Sequence, residues 1–147
     1  TVNRAGETVF VAPELVTGTL MKGFEVYRAI EDPLARAMFM MFLVAEVHPF
    51  ADGNGRVARI MMNAELVHGN RARIIIPTVY REDYLLALRA LTRNGNTEPY
   101  IRMLDRAQEF TSKMDFSNYE RALAQLRESN AFLEPDEGRL RMPGGAA

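Results

Sequence analysis

The pattern of apolar positions predicts a helical chain. Apolar residues run almost without a break from Ala37 to Ala45, which predicts a helix over about residues 33–47 that is buried on all sides. Asp32 and Pro33 suit its N-cap and its first turn. Next, Ile60, Met61, Ala64 and Val67 recur at helical spacing and predict a second helix, from Asn54 to about Val67, with that stripe facing the core.

Weaker signals predict the other elements. We expect helices over about 13–30, 81–93, 97–113 and 116–130, with Gly69 and Gly95 as C-terminal caps. Residues 1–12 predict a β-hairpin that turns at residues 4–7, because Thr8 to Val11 is rich in strand formers. Residues 132–141 favour a second hairpin, and the tail after residue 142 is expected to be disordered.

Composition narrows the class of protein. The 147 residues are 48% hydrophobic and 25% charged, which is typical of a globular domain with a real core. The net charge of −1 and the absence of a basic stripe argue against a nucleic-acid-binding face. Ala37 to Ala45 is too short to cross a bilayer. Because the chain has no cysteine, we expect a cytoplasmic location.

After the first central helix comes a stretch with the letters HPFADGNGRVAR, residues 48–59, which runs into the start of the second helix. We call this stretch the motif. Imidazoles exchange protons near neutral pH, so His48 suits a general base. Gly53, Asn54 and Gly55 form a turn at a helix N-terminus, where free N–H groups can receive an anion.

Three charged side chains complete the motif. Arg56 and Arg59 share one helix face and oppose the helix dipole, which a bound polyphosphate would explain. Asp52 makes sense as a ligand of Mg²⁺ between such phosphates. Taken singly, the histidine, the turn and the arginine pair have ordinary structural explanations. Their occurrence together in twelve residues favours a site.

The motif resembles the signature of the Fic family, His-x-Phe-x-Asp/Glu-Gly-Asn-Gly-Arg-x-x-Arg, at every defined position. The resemblance extends more loosely from the first residues to about residue 106. It implies an all-α Fic fold, a helical bundle around a central buried helix and an active-site loop, with a small β-hairpin flap. It also implies transfer of AMP from ATP to a Ser, Thr or Tyr hydroxyl of a target protein, with release of pyrophosphate.

The family pattern gives each motif residue a role. By resemblance, His48 is the catalytic base, Phe50 packs into the core, and Asp52 binds Mg²⁺ or Mn²⁺. Nucleotide phosphates would be held by two sets of residues: the cradle of Gly53, Asn54 and Gly55, and the clamps Arg56 and Arg59.

The family also has a flap, which holds the target in extended form by strand addition. By resemblance, the flap hairpin is residues 1–12, with Thr8, Val9, Phe10 and Val11 against the target, and the catalytic core is 13–113. Residues 114–147 are then accessory. Because helices that usually precede the flap are missing, we expect the chain to be a fragment of a longer protein. Homo-oligomerisation stays open.

Several alternatives remain at this stage. Related Doc kinases carry Lys where this chain has Gly55, so Gly55 favours nucleotidyl transfer. The inhibitory pattern Ser/Thr-x-x-x-Glu-Gly/Asn is not found, since Leu133 precedes Glu137 by four residues. An inhibitory helix would lie upstream, come from a partner, or be absent. Removal of AMP, transfer of a different group such as UMP, and a non-catalytic nucleotide-binding module are the competing functions.

Overall fold

The computed structural model describes residues 4–5 and 8–144, and this part of the chain is mostly helical, as predicted. Six α-helices, α1 to α6, follow a short strand pair, β1 and β2, and two single 3-10 turns precede α1 and α4. The elements are β1 Arg4–Ala5, β2 Thr8–Val9, a 3-10 turn Pro13–Leu15, α1 Val16–Arg28, α2 Pro33–Val47, α3 Asn54–His68, a 3-10 turn Thr78–Tyr80, α4 Arg81–Asn94, α5 Glu98–Ser112 and α6 Tyr119–Glu128. The chain divides into two compact units, Thr1–Arg71 and Ala72–Ala147.

Helix α2 is the core of the first unit. Its backbone starts where the sequence predicts, because the Asp32 carboxylate accepts a hydrogen bond of 2.8 Å from the backbone N–H of Ala35, and Pro33 opens the first turn. From Ala37 onward the helix is buried on most sides, and α1 and α3 pack against it. The predicted central buried helix is confirmed.

The predicted core stripe of α3 is wrong. Ile60 is 66% exposed and Val67 is also exposed, whereas Ala58, Met62 and Leu66 are fully buried. Apolar side chains occur around most of this helix, so its sequence offers more than one apolar face. Contact with α2 selects the face that carries Ala58, Met62 and Leu66, which recur at i, i+4 and i+8.

Gly69 is the C-cap of α3, but it is not the left-handed C′ residue that was predicted there. Gly69 keeps a negative φ of −81°, and the left-handed residue is Asn70, with φ 53°. The N–H of Arg71 donates to Leu66 O at 2.7 Å, which completes a Schellman motif. Glycine is needed at 69 for space, because a Cβ there would lie 2.4 Å from Pro33 Cβ.

A polar network joins the three helices of the first unit. The Tyr27 hydroxyl on α1 donates to Glu65 Oε1 on α3 at 2.7 Å and accepts from the Arg36 guanidinium on α2. Arg36 also lies over the Tyr27 ring, 4.6 Å from its centroid, and its Nε is 3.5 Å from Glu65 Oε2. This network fixes α1, α2 and α3 relative to one another.

The second unit is built on the α4–α5 pair, and its end differs from the predictions. Helix α6 begins at Tyr119 rather than Phe116, because Asn118 is its N-cap, with Oδ1 accepting from the N–H of Arg121 at 3.0 Å. Residues 132–141 contain a turn at 135–137 but no strand. The predicted hairpin there is wrong, since Leu133 and Leu140 pack into a cluster with Val79, Phe110, Met114 and Ala131 instead of pairing as strands.

The described residues at the N-terminus form one short antiparallel pair, with Arg4 opposite Val9 and Ala5 opposite Thr8. Phe10 and Val11 follow the strand and are not part of it. Gly6 and Glu7, in the predicted turn, and residues 145–147, in the predicted disordered tail, lie outside the described residues. A flap that binds a target therefore stays a prediction.

Candidate active site

His48 lies at the C-terminal end of the buried helix α2. Its backbone is left-handed, with φ 53° and ψ 55°, while its N–H still donates to Val44 O at 3.1 Å. The following Pro49 disfavours a right-handed helical conformation at His48, so the chain leaves the helix here. A left-handed conformation at a residue other than glycine costs about 1–2 kcal/mol and is concentrated at functional sites.

The imidazole of His48 is held at one edge and on one face. Its Nδ1 lies 3.2 Å from the carbonyl oxygen of Ala45, and since that oxygen can only accept, Nδ1 carries the proton in this contact. Phe10 stacks on the ring, with centroids 3.6 Å apart and planes 11° from parallel. When the ring is neutral with its hydrogen on Nδ1, the remaining nitrogen, Nε2, has the lone pair that a general base requires.

The turn after His48 is closed by the side chain of Asn54. Asn54 is 2% exposed; its Oδ1 accepts from the N–H of Phe50 at 2.9 Å, and its Nδ2 donates to Phe50 O at 2.7 Å. Because this amide is turned to the backbone of Phe50, only the main chain of Asn54 is available to an anion. Sequence reasoning missed this structural role, although a single Asn between two glycines at a helix start is a usable signal for it.

Phe50 does not pack into the core as the family pattern implies. Its side chain is 49% exposed. The backbone of Phe50, rather than its ring, holds the loop, through one hydrogen bond donated to Asn54 and one accepted from it.

The glycines bring the start of α3 close to both motif arginines. Gly53 is the N-cap of α3 with φ 84°, a conformation that favours glycine. A Cβ built on Gly53 would lie 3.4 Å from Arg56 Nη2, and one on Gly55 would lie 3.5 Å from Arg59 Nη1. Both guanidiniums therefore lie beside the turn whose first N–H groups have no partner within the helix.

Asp52 and Arg56 form an ion pair at the surface. Asp52 Oδ2 is 3.1 Å from Arg56 Nη2, and their side chains are 92% and 71% exposed. Asp52 Oδ1 also accepts from the N–H of Gly53 at 2.6 Å. Exposed pairs of this kind contribute little to stability, about 0–1 kcal/mol, so both groups can change partners at low cost.

Comparison with known proteins relates part of the chain to one family. The family model described as Fic/DOC family matches residues 1–66. This part of the chain, which includes the motif, is therefore similar to the Fic/DOC family. Protein adenylyltransferase fic-1 of Caenorhabditis elegans is 32% identical over 78 residues, 53% of this chain and 15% of that protein. Protein adenylyltransferase Fic of Nematostella vectensis is 37% identical over 79 residues, 54% of this chain and 18% of that protein.

Solved structures place most of the chain in the same fold. A C. elegans Fic-1 structure superposes with a TM-score of 0.62 and 25% identity, over 87% of this chain and 38% of that one. A Fic domain containing signaling protein from Bacteroides thetaiotaomicron gives 0.62 at 24% identity, over 73% and 48%. This chain spans about a fifth or less of the curated relatives named above, and less than half of each solved chain.

The motif contains a single carboxylate, that of Asp52. Within the described part of the chain, no three histidine, cysteine, aspartate or glutamate side chains come together as a metal site. Asp52, exposed beside the predicted phosphate cradle, still fits Mg²⁺, because that ion commonly takes one or two carboxylates and completes its shell with substrate phosphates and waters.

No described helix is both long and apolar enough to cross a membrane.

Proposed function

We propose that this domain transfers AMP from ATP to a hydroxyl side chain of a target protein. The observation that carries the proposal is the geometry of the motif. His48 ends α2 with its Nδ1 at Ala45 O, and Arg56 and Arg59 lie beside the turn at the start of α3. Its relatives are named protein adenylyltransferases, which agrees with this assignment.

In the proposed reaction His48 removes the proton from the target hydroxyl. The hydroxyl oxygen then attacks the α-phosphorus, the bond between the α-phosphorus and its bridging oxygen breaks, and pyrophosphate leaves with that oxygen. Backbone N–H groups at the start of α3 and the guanidiniums of Arg56 and Arg59 bind the phosphates, where they neutralise charge in the transition state. Asn54 holds the turn in place through Phe50.

Asp52 would hold the divalent ion, Mg²⁺ or Mn²⁺, which supplies further charge neutralisation to the phosphates when it is bound. Asp52 is paired with Arg56 in this structure. Nucleotide binding would exchange this pair for two stronger partners, since Arg56 takes a phosphate and Asp52 takes the metal.

The remaining assignments follow from the same proposal. Thr8, Val9, Phe10 and Val11 would bind an extended segment of the target through their backbone, which is compatible with the Phe10 ring stacked on His48. Residues 13–113 would be the catalytic core, with 114–147 as an accessory segment. A cytoplasmic location agrees with the lack of cysteine.

The test uses ATP labelled on the α-phosphate or on the γ-phosphate, with Mg²⁺ and a cell lysate as a source of targets. We expect label to enter protein from the α-position alone, and His48→Ala to reduce transfer by about 10²- to 10⁴-fold, the usual contribution of a general base. His68→Ala is the matched control, because His68 is the only other histidine in the chain and is exposed at the end of α3.

Other outcomes would support the alternatives. Label from the γ-position would indicate a kinase and overturn the interpretation of Gly55. Transfer from labelled UTP but not ATP would indicate UMP transfer. Equal transfer by wild type and His48→Ala would contradict the role of the base, and ATP binding without transfer under every condition would favour a binding module.

A further inference from the structure

The Phe10 ring lies face to face with the His48 ring, although the two residues are far apart in the sequence. Phe10 directly follows β2, and His48 ends α2. The centroids are 3.6 Å apart and the planes differ by 11°. We propose that Phe10 is a positioning residue that holds the His48 imidazole in the orientation and tautomer of a general base, an inference that rests on the proposed AMP transfer only for its catalytic consequence.

The two contacts of the imidazole restrain different motions. The bond from Nδ1 to Ala45 O, at 3.2 Å, acts at one edge of the ring and defines which nitrogen points towards the backbone. An edge contact alone allows the ring to tilt about that bond. The stacked Phe10 ring opposes tilting, because the two planes would no longer be parallel at 3.6 Å. Together, the edge and face contacts favour the orientation of the imidazole seen here.

This orientation determines which nitrogen is the base. When Nδ1 donates to Ala45 O, the neutral ring has its lone pair on Nε2. If the ring tilted out of this hydrogen bond, Nδ1 would lose its partner and the other tautomer would compete. In that tautomer Nε2 already carries the hydrogen, so it cannot accept a proton from a hydroxyl. Phe10 therefore favours the competent tautomer without contacting the reacting atoms.

Stacking on the face of the ring leaves the base accessible. The Nε2 lone pair lies in the plane of the imidazole, whereas Phe10 lies above that plane with its ring nearly parallel to it. A hydroxyl approaches along the in-plane direction of the lone pair, so Phe10 does not block it. This geometry favours a positioning role over one in which Phe10 occludes the site.

The direct test is ¹⁵N NMR of the histidine side chains, because the chain has only two histidines. At about pH 9, where ordinary imidazoles are neutral, the ring shifts report which nitrogen carries hydrogen. We expect His48 in the wild type to be mostly the Nδ1–H tautomer. The exposed His68, assigned with His68→Ala, serves as an internal reference in the same spectrum.

Three substitutions at Phe10 separate the effect of the stacked aromatic ring from the effect of side-chain volume. Phe10→Ala should move the His48 tautomer ratio towards that of His68 and lower kcat for AMP transfer by about 10- to 100-fold, with KM for ATP unchanged. Phe10→Leu, which is apolar but not flat, should give intermediate values. Phe10→Tyr keeps the flat ring and should restore both the ratio and kcat. Phe116→Ala, at an exposed phenylalanine of the second unit, is the control.

The NMR result stands apart from the enzymatic one. If the wild type transfers no AMP, the proposed function fails while the tautomer ratios still decide the role of Phe10. An unchanged His48 ratio in Phe10→Ala would overturn the proposal, whether or not transfer falls. Should Phe10→Ala lose its helical circular dichroism, the His48 tautomer ratios of Phe10→Leu and Phe10→Tyr are compared instead. Equal ratios in these two variants would overturn the proposal.

Discussion

Asn54 uses one amide for two tasks within the motif. Its oxygen accepts from the N–H of Phe50 and its nitrogen donates to the carbonyl of the same residue, so both backbone groups of Phe50 are satisfied by one buried side chain. Such a bidentate contact fixes the turn between His48 and α3. The proposed base and the proposed phosphate cradle lie on either side of this turn.

Replacement of Asn54 should therefore affect both stability and binding. We expect Asn54→Ala to lower the free energy of unfolding by about 2–4 kcal/mol, because it removes both hydrogen bonds between the Asn54 amide and the backbone of Phe50. The urea midpoint measured by circular dichroism checks the change, and ATP titration checks binding. Asn94→Ala, at an exposed helix end, is the control and should alter the free energy by less than about 0.5 kcal/mol. Equal effects of the two substitutions would contradict the role of Asn54.

Much of the motif's chemistry is visible residue by residue in the sequence. His48, Gly53, Arg56 and Arg59 could all be placed near one loop from residue type and spacing. The exposure of Phe50 could not, because a phenylalanine is expected to be buried and only the surrounding packing leaves it at the surface. The contact of Phe10 with His48 joins positions 38 residues apart, which no local pattern indicates.

At the scale of elements, one glycine at the start of a helix and one inside a helix have different effects on stability. Gly53 adopts φ 84° as the N-cap of α3. Gly18 lies inside α1, and a Cβ built on it would meet nothing within 4 Å. The first glycine is required by the backbone conformation. The second only weakens its helix, because glycine loses more chain entropy on folding than alanine does.

Alanine at these two glycines should change stability in opposite directions. Gly18→Ala should raise the free energy of unfolding by about 0.5–1 kcal/mol through higher helix propensity. Gly53→Ala should lower it by about 1–2 kcal/mol, since alanine is strained at positive φ. Urea denaturation of both variants beside the wild type provides the measurement, and destabilisation by Gly18→Ala would show that α1 depends on a contact at that position.

Helices α2 and α3 show why some elements were predicted better than others. In α2, apolar residues and an Asp-Pro cap specify the start, the length and the burial together. In α3, the start was predictable from the glycines, but the buried face was not. Ala58, Met62 and Leu66 compete with Ile60, Met61 and Val67 for the core, and only the position of α2 decides between these two sets.

For the molecule as a whole, acid stability should depend on Asp115 at the entry to α6. Hydrogen bonds from the Ser117 hydroxyl and from Arg121, followed by the Ser117 N–H, lower the pKa of Asp115 from 3.8 to about 2. A carboxyl whose pKa is lower in the folded state contributes stability above its unfolded pKa. That contribution is lost as the pH falls from about 4 towards 2.

Urea unfolding of wild type and Asp115→Asn at several pH values measures this dependence. We expect the wild type to be more stable than Asp115→Asn by a constant amount above about pH 5, and this difference to narrow progressively below about pH 4. Asp136→Asn controls for the loss of one negative charge at an exposed turn position. A difference between wild type and Asp115→Asn that did not vary with pH would show that Asp115 acts through its shape or its neutral hydrogen bonds instead.

The sequence alone determined the features that depend on neighbours along the chain: the helical class, the cap and burial of α2, the end of α4 at Gly95, and the motif as a candidate site. These features are local because hydrophobic period, capping and φ preference act within a few residues. The tertiary structure decided the buried face of α3, the compact turns at 132–141, the space required at Gly69 and the stack of Phe10 on His48. Each of these depends on residues that meet only after folding.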